Sequence, residues 1–374
     1  MKILLLGEYS NVHATLAEGL RFLGHEVTVV SNGDFWKNYP RDIDVSRRSG
    51  KLGGIRLMTK IIRLLPKMKG YDVVQLINPI FFELKAERLL PIYKYLRNNN
   101  RRIFLGAFGM DYYWVHENIT RMPLRYSDFN IGNKLRTDAN ATKERRDWIG
   151  TAKEQLNKHI ANDCDGIVSG LYEYHICYKP NFPNKTKFIP YPIKIQNNPS
   201  HPKKQNNKFK HTSINELELK IFIGISKNRN HYKGTDIMLA AAQAVKRKYP
   251  ENIDLKIAEG LPFKEYTQSM QKADVILDQL YSYTPAMNAL EAMSHGIIVI
   301  GGGENENYEI INEKENKPII NVQPNFDSVF NEIEQLVLYP RRIPSLKQQS
   351  INYIRKHHDY IKVARQYEKL YKAK

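Results

Sequence analysis

Residues Lys2 to Ser31 read KILLLGEYSNVHATLAEGLRFLGHEVTVVS. The run from Ile3 to Leu6 is apolar at every position, the pattern of a strand buried on both faces, and it stops at Gly7. Leu16, Leu20 and Leu23 then recur at helical spacing, with Gly24 as the stop signal. EVTVVS (Glu26–Ser31) reads as a second strand. A strand, a loop, a helix and another strand in this order open a parallel α/β sheet.

The alternation continues outward from this unit. YDVVQLI (Tyr71–Ile77) reads as a strand, LLPIYKYLRNN as a helix and RIFLGAFG as a strand. A long polar insertion follows, then a helix, a strand over Gly166–Ser169 and a second helix. One α/β domain therefore fills residues 1–190. FIPYPIKI (Phe188–Ile195) carries two prolines and reads as a hinge, and HPKKQNNKFKHTSIN (His201–Asn215) as an exposed basic loop. The pattern then restarts with LKIFIGIS (strand), GTDIMLAAAQAVKRKYP (helix), IDLKIAEG (strand), YTQSMQKA (helix), DVILDQL (strand) and IIVIGGG (strand), a second α/β domain over 191–345. A basic helical segment closes the chain at 346–374. Its Tyr353, Ile361, Ala364, Tyr367 and Leu370 are expected to form one apolar face that packs back on the body.

Composition narrows the function classes. Of 374 residues, 42% are hydrophobic and 11% aromatic, enough for two cores and unlike a disordered chain. Lys and Arg number 57 against 39 Asp and Glu, a formal charge of +18 that favours an anionic partner. No helix-turn-helix, zinc finger or RNP-like segment accompanies that charge, so a nucleic-acid partner is not expected. Cys164 and Cys177 stand in neither a CxxC nor a zinc-like spacing and read as reduced thiols. The opening apolar run is too short for a signal sequence, and no later run approaches the roughly 18 residues a membrane span needs. The expected location is cytoplasmic, with peripheral contact at the inner face of the cell membrane as an option.

Ligands of open α/β domains bind beyond the carboxyl ends of the strands, so the loops after strands carry the candidates. In SYTPAMNALEAMSHGIIVIGGGE (Ser282–Glu304), Thr284 reads as a helix N-cap and Pro285 as the first helical residue. The amides of Ala286, Met287 and Asn288 are then expected to offer a positive dipole end to a phosphate. Met287, Leu290 and Met293 form the core face; Asn288 and Glu291 share another. GISKNRNHYKGTD (Gly224–Asp236) also follows a strand and gathers Lys227, Arg229, His231 and Lys233 in one loop, without the order of a Walker A motif.

Together these loops resemble the C-terminal domain of retaining nucleotide-sugar glycosyltransferases, most of all the large family 4 with its GT-B fold of two Rossmann-like domains facing across a cleft. The resemblance rests on GHEVTVV (Gly24–Val30), the KG pair at Lys233, ADVILDQL (Ala273–Leu280), EAMSHGIIVI (Glu291–Ile300) and the basic closing helix, and it spans nearly the whole chain. It implies a donor site of Gly224, Lys227 or Arg229, Lys233, Tyr283, Pro285, Ala286, Met287, Asn288, Ala289 and Glu291. In that set Lys233 is the phosphate lysine and Glu291 the ribose ligand. The family has another glutamate eight positions before Glu291, where this chain has Tyr283. On the N-terminal side GEYSNVH (Gly7–His13) follows the first strand, and Glu8, Asn11 and His13 are the acceptor candidates, His13 being otherwise a helix-start residue. GAFGMDYYWVHE (Gly106–Glu117) resembles the family's HG-x-D loop, with Phe108 in the histidine position and Asp111 in that of the acid. Asp111 could bind or deprotonate an acceptor hydroxyl, or serve only as a cap, and the DYYW aromatics read as partly core.

Asp111, Lys233 and Glu291 are therefore the catalytic candidates. The implied reaction is hexose transfer from a UDP or GDP sugar to a saccharide or lipid-linked saccharide hydroxyl, with retention, in surface polysaccharide biosynthesis. No cofactor is expected beyond the donor. No D-x-D pair lies in a strand-end loop, so a metal-independent enzyme is expected. The rivals are a non-catalytic sugar-binding relative, suggested by Tyr283, and an inverting transferase or epimerase of the same fold using Asp111 or His13 as base. Arg97, Arg101, Arg102 and the closing helix are the candidates for contact with an anionic membrane.

Overall fold

A computed structural model of the chain describes residues 1–50, 52–195, 218–226 and 230–373. The loop His201–Asn215 and the loop cations Lys227 and Arg229 lie outside the described residues. The chain forms two compact units. One comprises Met1–Leu124, Thr142–Pro192 and Tyr360–Lys374; the other comprises Arg125–Ala141 and Ile193–Asp359.

Fourteen strands are used below: β1 (Lys2–Leu6), β2 (Glu26–Ser31), β3 (Ile43–Asp44), β4 (Val73–Leu76), β5 (Arg102–Ala107), β6 (Asn130–Ile131), β7 (Lys134–Leu135), β8 (Gly166–Ser169), β9 (Thr186–Phe188), β10 (Leu219–Ile225), β11 (Ile253–Glu259), β12 (Val275–Leu277), β13 (Ile298–Gly301) and β14 (Ile320–Asn321). The first unit holds a parallel sheet in the order β3-β2-β1-β4-β5-β8-β9. Ile3, Leu4, Leu5 and Leu6 of β1 are fully buried, as their unbroken apolar run requires. The helix Val12–Phe22 ends where Gly24 turns left-handed at φ +83°. There the Gly24 amide donates to Arg21 O (2.9 Å) and the His25 amide to Leu20 O (3.1 Å), closing the last carbonyls. The strand order reverses between β1 and β4, the position beside which open α/β sheets bind their ligands.

The second unit holds a five-stranded parallel sheet in the order β11-β10-β12-β13-β14. Its core packs Leu219, Ile221 and Ile223 of β10 with Met238, Ala242 and Val245 of the helix Thr235–Lys248. Here the order reverses between β10 and β12. The segment Arg125–Ala141, with the antiparallel hairpin β6–β7, also belongs to this unit although it sits early in the chain. It is part of the polar insertion after β5, which the sequence division at residue 190 did not separate.

The closing segment differs from its expected form. It divides into the helix Ile343–Tyr353, a π turn at Ile354–His358 and the helix Tyr360–Lys372, because the Ile193 amide donates to His358 O at 2.7 Å and ends the run. Tyr353 therefore stays in the core of the second unit, bonded to Asn307 at 3.2 Å. The last helix buries Val363, Ala364, Tyr367 and Tyr371 in the first unit, while Ile361 and Leu370 are only half-buried. His25 Nε2 meets Glu368 at 3.0 Å, and the Tyr371 hydroxyl donates to Gln75 of β4.

Candidate functional site

In the first unit the loops after β1 and β5 turn their candidate side chains inward. Glu8 is buried and caps the helix Val12–Phe22, accepting from the amides of His13 (3.2 Å) and Ala14 (2.8 Å). Burial raises its carboxyl to about 8 against the pull of those amides. His13 is fully buried, with Nδ1 2.9 Å from Gly7 O, and burial lowers it to about 3, so the ring is neutral. Its Nδ1 then carries the proton toward Gly7 O, and Nε2 accepts from the Gln75 amide at 3.4 Å. Asn11 is half-buried and left-handed at φ 72°.

Asp111 caps the helix Tyr112–Thr120, with Oδ1 accepting from the Trp114 amide and Oδ2 from the Tyr178 hydroxyl, both at 2.8 Å. It is fully buried, and desolvation raises it to about 7. Asn157 braces the pair, accepting from the Tyr112 amide at 2.9 Å and donating to the Tyr178 oxygen at 3.1 Å. Tyr112, Tyr113 and Trp114 are buried, so these aromatics are core rather than partly core. Of the acceptor-side candidates, Glu8, His13 and Asp111 are committed to internal partners, and Asn11 alone is partly exposed.

The second unit assembles its candidates at the reversal between β10 and β12. Gly224 near the end of β10 lies where a Cβ would fall 2.5 Å from the Tyr266 hydroxyl. That hydroxyl donates to Asn288 Oδ1 (3.1 Å), and Asn288 Nδ2 donates to Asp278 Oδ1 (3.0 Å) just past β12. Burial raises the Asp278 carboxyl above the ordinary range, opposed by the Asn288 amide and the charge of Lys233. The Lys233 carbonyl accepts from the Leu280 amide at 3.0 Å, tying the two loops together.

The helix start is two residues later than expected. The helix runs Met287–Ser294 with Ala286 extended at its N-cap and no side chain capping it. Thr284 is not the cap and Pro285 is not its first residue. A residue before proline is pushed out of the helical region, and the Glu304 amide donates to Tyr283 O at 3.1 Å, holding this stretch beside the end of β13. The helix ends at a glycine: Gly296 is left-handed at φ 72°, and the Ile297 amide donates to Ala292 O at 3.1 Å. Met287, Leu290 and Met293 are buried. Glu291 keeps 38% of its side chain exposed and contacts His295 at 3.2 Å.

Tyr283 is not presented to a ligand. Its side chain is 1% exposed, its hydroxyl accepts from the Arg125 amide at 2.7 Å, and its ring lies 4.9 Å from that of Tyr126. Beside it Glu304 accepts from the Tyr126 hydroxyl, from Gln323 (2.9 Å) and from Arg125 (2.9 Å). Burial pushes Glu304 up, and these donors outweigh it and hold the carboxyl below its ordinary range. The sequence pointed to the loops EGLPFKEY (Glu259–Tyr266) and DQLYSY (Asp278–Tyr283) as those that decide donor choice without giving Tyr266 or Asp278 a role of its own, and Glu304 was missed. Asp278 and Glu304 each lie within a few residues of a strand end, a signal that was available; the roles of Arg125 and Tyr126 left no local trace. Among the described residues, no group of three His, Cys, Asp or Glu side chains is placed to hold a metal ion. No described helix is long and apolar enough to cross a membrane.

Neither a family model nor a curated protein matches the sequence. Solved structures do match it. Sucrose-phosphate synthase from Thermosynechococcus elongatus superposes with a TM-score of 0.62 at 13% identity, over 99% of this chain and 98% of that one. Anabaena HepE in complex with UDP and glucose gives 0.58 at 11% identity, over 99% and 98%. The chain has the GT-B fold. A GT-B chain carries two Rossmann-like units, and the two parallel sheets described above are those units. A Listeria monocytogenes protein provisionally assigned as a UDP-N-acetylglucosamine 2-epimerase also superposes, with a TM-score of 0.55 at 11% identity over 98% and 95%. At such identities the likeness is one of fold.

Proposed function

We propose that this protein is a glycosyltransferase that takes a nucleotide-diphosphate sugar, of UDP or GDP type, in its second unit. The observation that carries the reading is that, at the β10/β12 reversal, the charge of Lys233 acts on Asp278, Asp278 accepts from Asn288 at the N-terminus of the helix Met287–Ser294, and Tyr266, bonded to Asn288, lies against the close-approach glycine Gly224, while Glu291 keeps 38% of its side chain exposed one turn along that helix. A diphosphate needs fixed positive charge, which Lys233 and the amides of Met287, Asn288 and Ala289 supply without a metal ion. A ribose offers two vicinal hydroxyls, which one carboxylate such as Glu291 accepts. That HepE was solved with UDP and with UDP-glucose supports the donor class.

The reaction breaks the bond from the anomeric carbon to the diphosphate and forms one to an acceptor hydroxyl of a saccharide or lipid-linked saccharide. In a retaining, front-face course the departing phosphate oxygen takes the acceptor proton, and Lys233 with the helix amides stabilises the charge that grows there. An inverting course needs a free base on the acceptor side. The two residues expected to supply one, Asp111 and His13, are fully buried and hydrogen-bonded within the first unit, which favours retention. Surface polysaccharide assembly is the role we assign. The test is to incubate the full chain with UDP- and GDP-sugars and oligosaccharide acceptors and follow the anomeric proton by NMR. An α-linked product from an α-donor supports the proposal. A β-linked product moves the reading to an inverting transferase, and bound nucleotide without product moves it to a non-catalytic sugar-binding relative.

For peripheral contact with an anionic membrane, Arg97 is poorly suited because it is paired with Asp165 and Asp163. Arg102 donates to Ala373 O. The helix Gly53–Leu64 fits better: Leu52, Ile55 and Ile62 are 55%, 57% and 52% exposed, beside Arg56, Lys60 and Arg63, and no Asp or Glu occurs between Asp44 and Asp72. Co-sedimentation with phosphatidylglycerol vesicles over a salt series should show binding that Ile55→Glu with Ile62→Glu abolishes. Unchanged binding by that variant excludes this helix.

A further inference from the structure

Both proposed donor loops are held by the same early segment of chain. Arg136, in the excursion Arg125–Ala141, is nearly buried and lays its guanidinium 3.9 Å over the ring of Tyr281, in the loop after β12. From there Nη2 donates to His231 O (2.6 Å) and Nη1 to Tyr232 O (3.2 Å), two residues immediately before Lys233. Asp138 meets Nε at 3.2 Å, and Ser127 O accepts from Nη1 at 3.2 Å, so the fork is fixed from its own side as well. Asp128 accepts from the Tyr232 hydroxyl at 2.7 Å. At the other end of the excursion, Arg125 and Tyr126 hold Tyr283 and Glu304, which flank the entry to the helix Met287–Ser294.

We infer that Arg125–Asp138 is a clamp that presets the donor loops, with Arg136 as the positioning residue that fixes Lys233 relative to the loop after β12. The inference rests on the donor-site reading above and adds to it a part of the chain that lies outside both donor motifs. Physically, a guanidinium reads two consecutive carbonyls at once, and each bond is charge-assisted. The segment carrying Lys233 is a single helical turn of four residues, Asn230–Lys233, a length at which a helix is not stable by itself. Without an external holder it pays its ordering when the diphosphate binds, and affinity falls by that amount. Arg136 itself has most of its donors occupied by protein oxygens, so it acts through the loop and not as a further phosphate ligand.

The test measures UDP and GDP binding by calorimetry on the full chain, for wild type, Arg136→Ala, Arg136→Lys and Asp128→Asn, at a temperature where circular dichroism shows each folded. The expected result is a loss of about tenfold or more for Arg136→Ala, corresponding to roughly 1.4 kcal/mol. Arg136→Lys keeps the charge but not the fork and should recover only part, and Asp128→Asn should lose a few-fold. In turnover assays the loss should fall on the donor KM more than on kcat. If Arg136→Ala does not fold, Asp128→Asn decides, since it keeps the side chain's size and removes only the charge that the Tyr232 hydroxyl meets. Wild-type binding with folded variants within twofold overturns the clamp and leaves the donor reading standing. Failure of the wild type to bind any nucleoside diphosphate overturns the donor reading first, and the clamp with it.

Discussion

Replacing Asp111 separates a base from a cap. Asp111→Ala leaves the Trp114 amide and the Tyr178 hydroxyl, both held at 2.8 Å in a fully buried site, without their acceptor. Loss of an N-cap costs about 1 kcal/mol, and an orphaned buried polar group about 1–3 kcal/mol more, so the variant should lose about 2–4 kcal/mol. For a unit of this size that is a fall of roughly 4–16 °C in melting temperature. Asp111→Asn caps as well as aspartate and keeps an acceptor, so it should lose about 1 kcal/mol or less. The pH dependence follows from the raised carboxyl, displaced from 3.8 to about 7 by burial. Such a group contributes its stability fully below the unfolded value and loses it as pH rises through the folded one. The deficit of Asp111→Asn should therefore shrink between about pH 4 and pH 7. Urea unfolding at several pH values, alongside acceptor-dependent turnover, reads both. If Asp111→Ala stays within about 0.5 kcal/mol of wild type while Asp111→Asn drops turnover a hundredfold or more, the cap reading is wrong and Asp111 is a base.

Glu8→Gln should flatten the stability profile between about pH 4.5 and pH 8. The wild-type carboxyl is raised from 4.5 to about 8 by burial, so its contribution is complete below the lower value and lost as pH rises toward the higher, a window that melting curves from pH 5 to pH 9 would resolve. Lys347→Ala should cost about 3–5 kcal/mol and unfold the second unit first, because it strands the buried Asp274 carboxylate that Lys347 meets at 2.6 Å; limited proteolysis would localise the loss. Lys347→Ala with Asp274→Ala together should recover part of it.

What was legible in the sequence was what local pattern controls. The unbroken apolar runs of β1 and β13 marked buried parallel strands, and Gly24 and Gly296 marked helix ends because only an αL residue closes those last carbonyls. The loops after β10 and β12 were legible as candidates because ligands of open α/β sheets bind beyond the carboxyl ends of strands, and the strand order, which the sequence does not show, sets both loops at a reversal. What failed was decided by distant partners. Thr284 and Pro285 have the chemistry of a helix start, yet they lie outside the helix, in a stretch tied to β13 by the Tyr283–Glu304 backbone bond. The run through Asp359 is helical on both sides, yet Ile193 breaks it from far away in the chain. Glu8, His13 and Asp111 are polar residues in strand-end loops, and nothing local distinguishes a carboxylate turned to a helix amide from one turned to a substrate. The excursion carrying Arg125 and Arg136 reads as a polar insertion, since its meaning lies wholly in what it touches.

The measurement that bears most directly on the central claim is a thermal-shift titration of the full chain with UDP, GDP, ADP and CMP, repeated on Lys233→Ala and Glu291→Ala. Lys233 lies on the turn before the helix Thr235–Lys248 and Glu291 on an exposed helix face, so both variants should fold. The account predicts that a nucleoside diphosphate, UDP or GDP, raises the wild-type midpoint and that each substitution removes most of the rise. A wild type indifferent to all four nucleotides, or a rise that survives both substitutions, would contradict a donor site at the β10/β12 reversal.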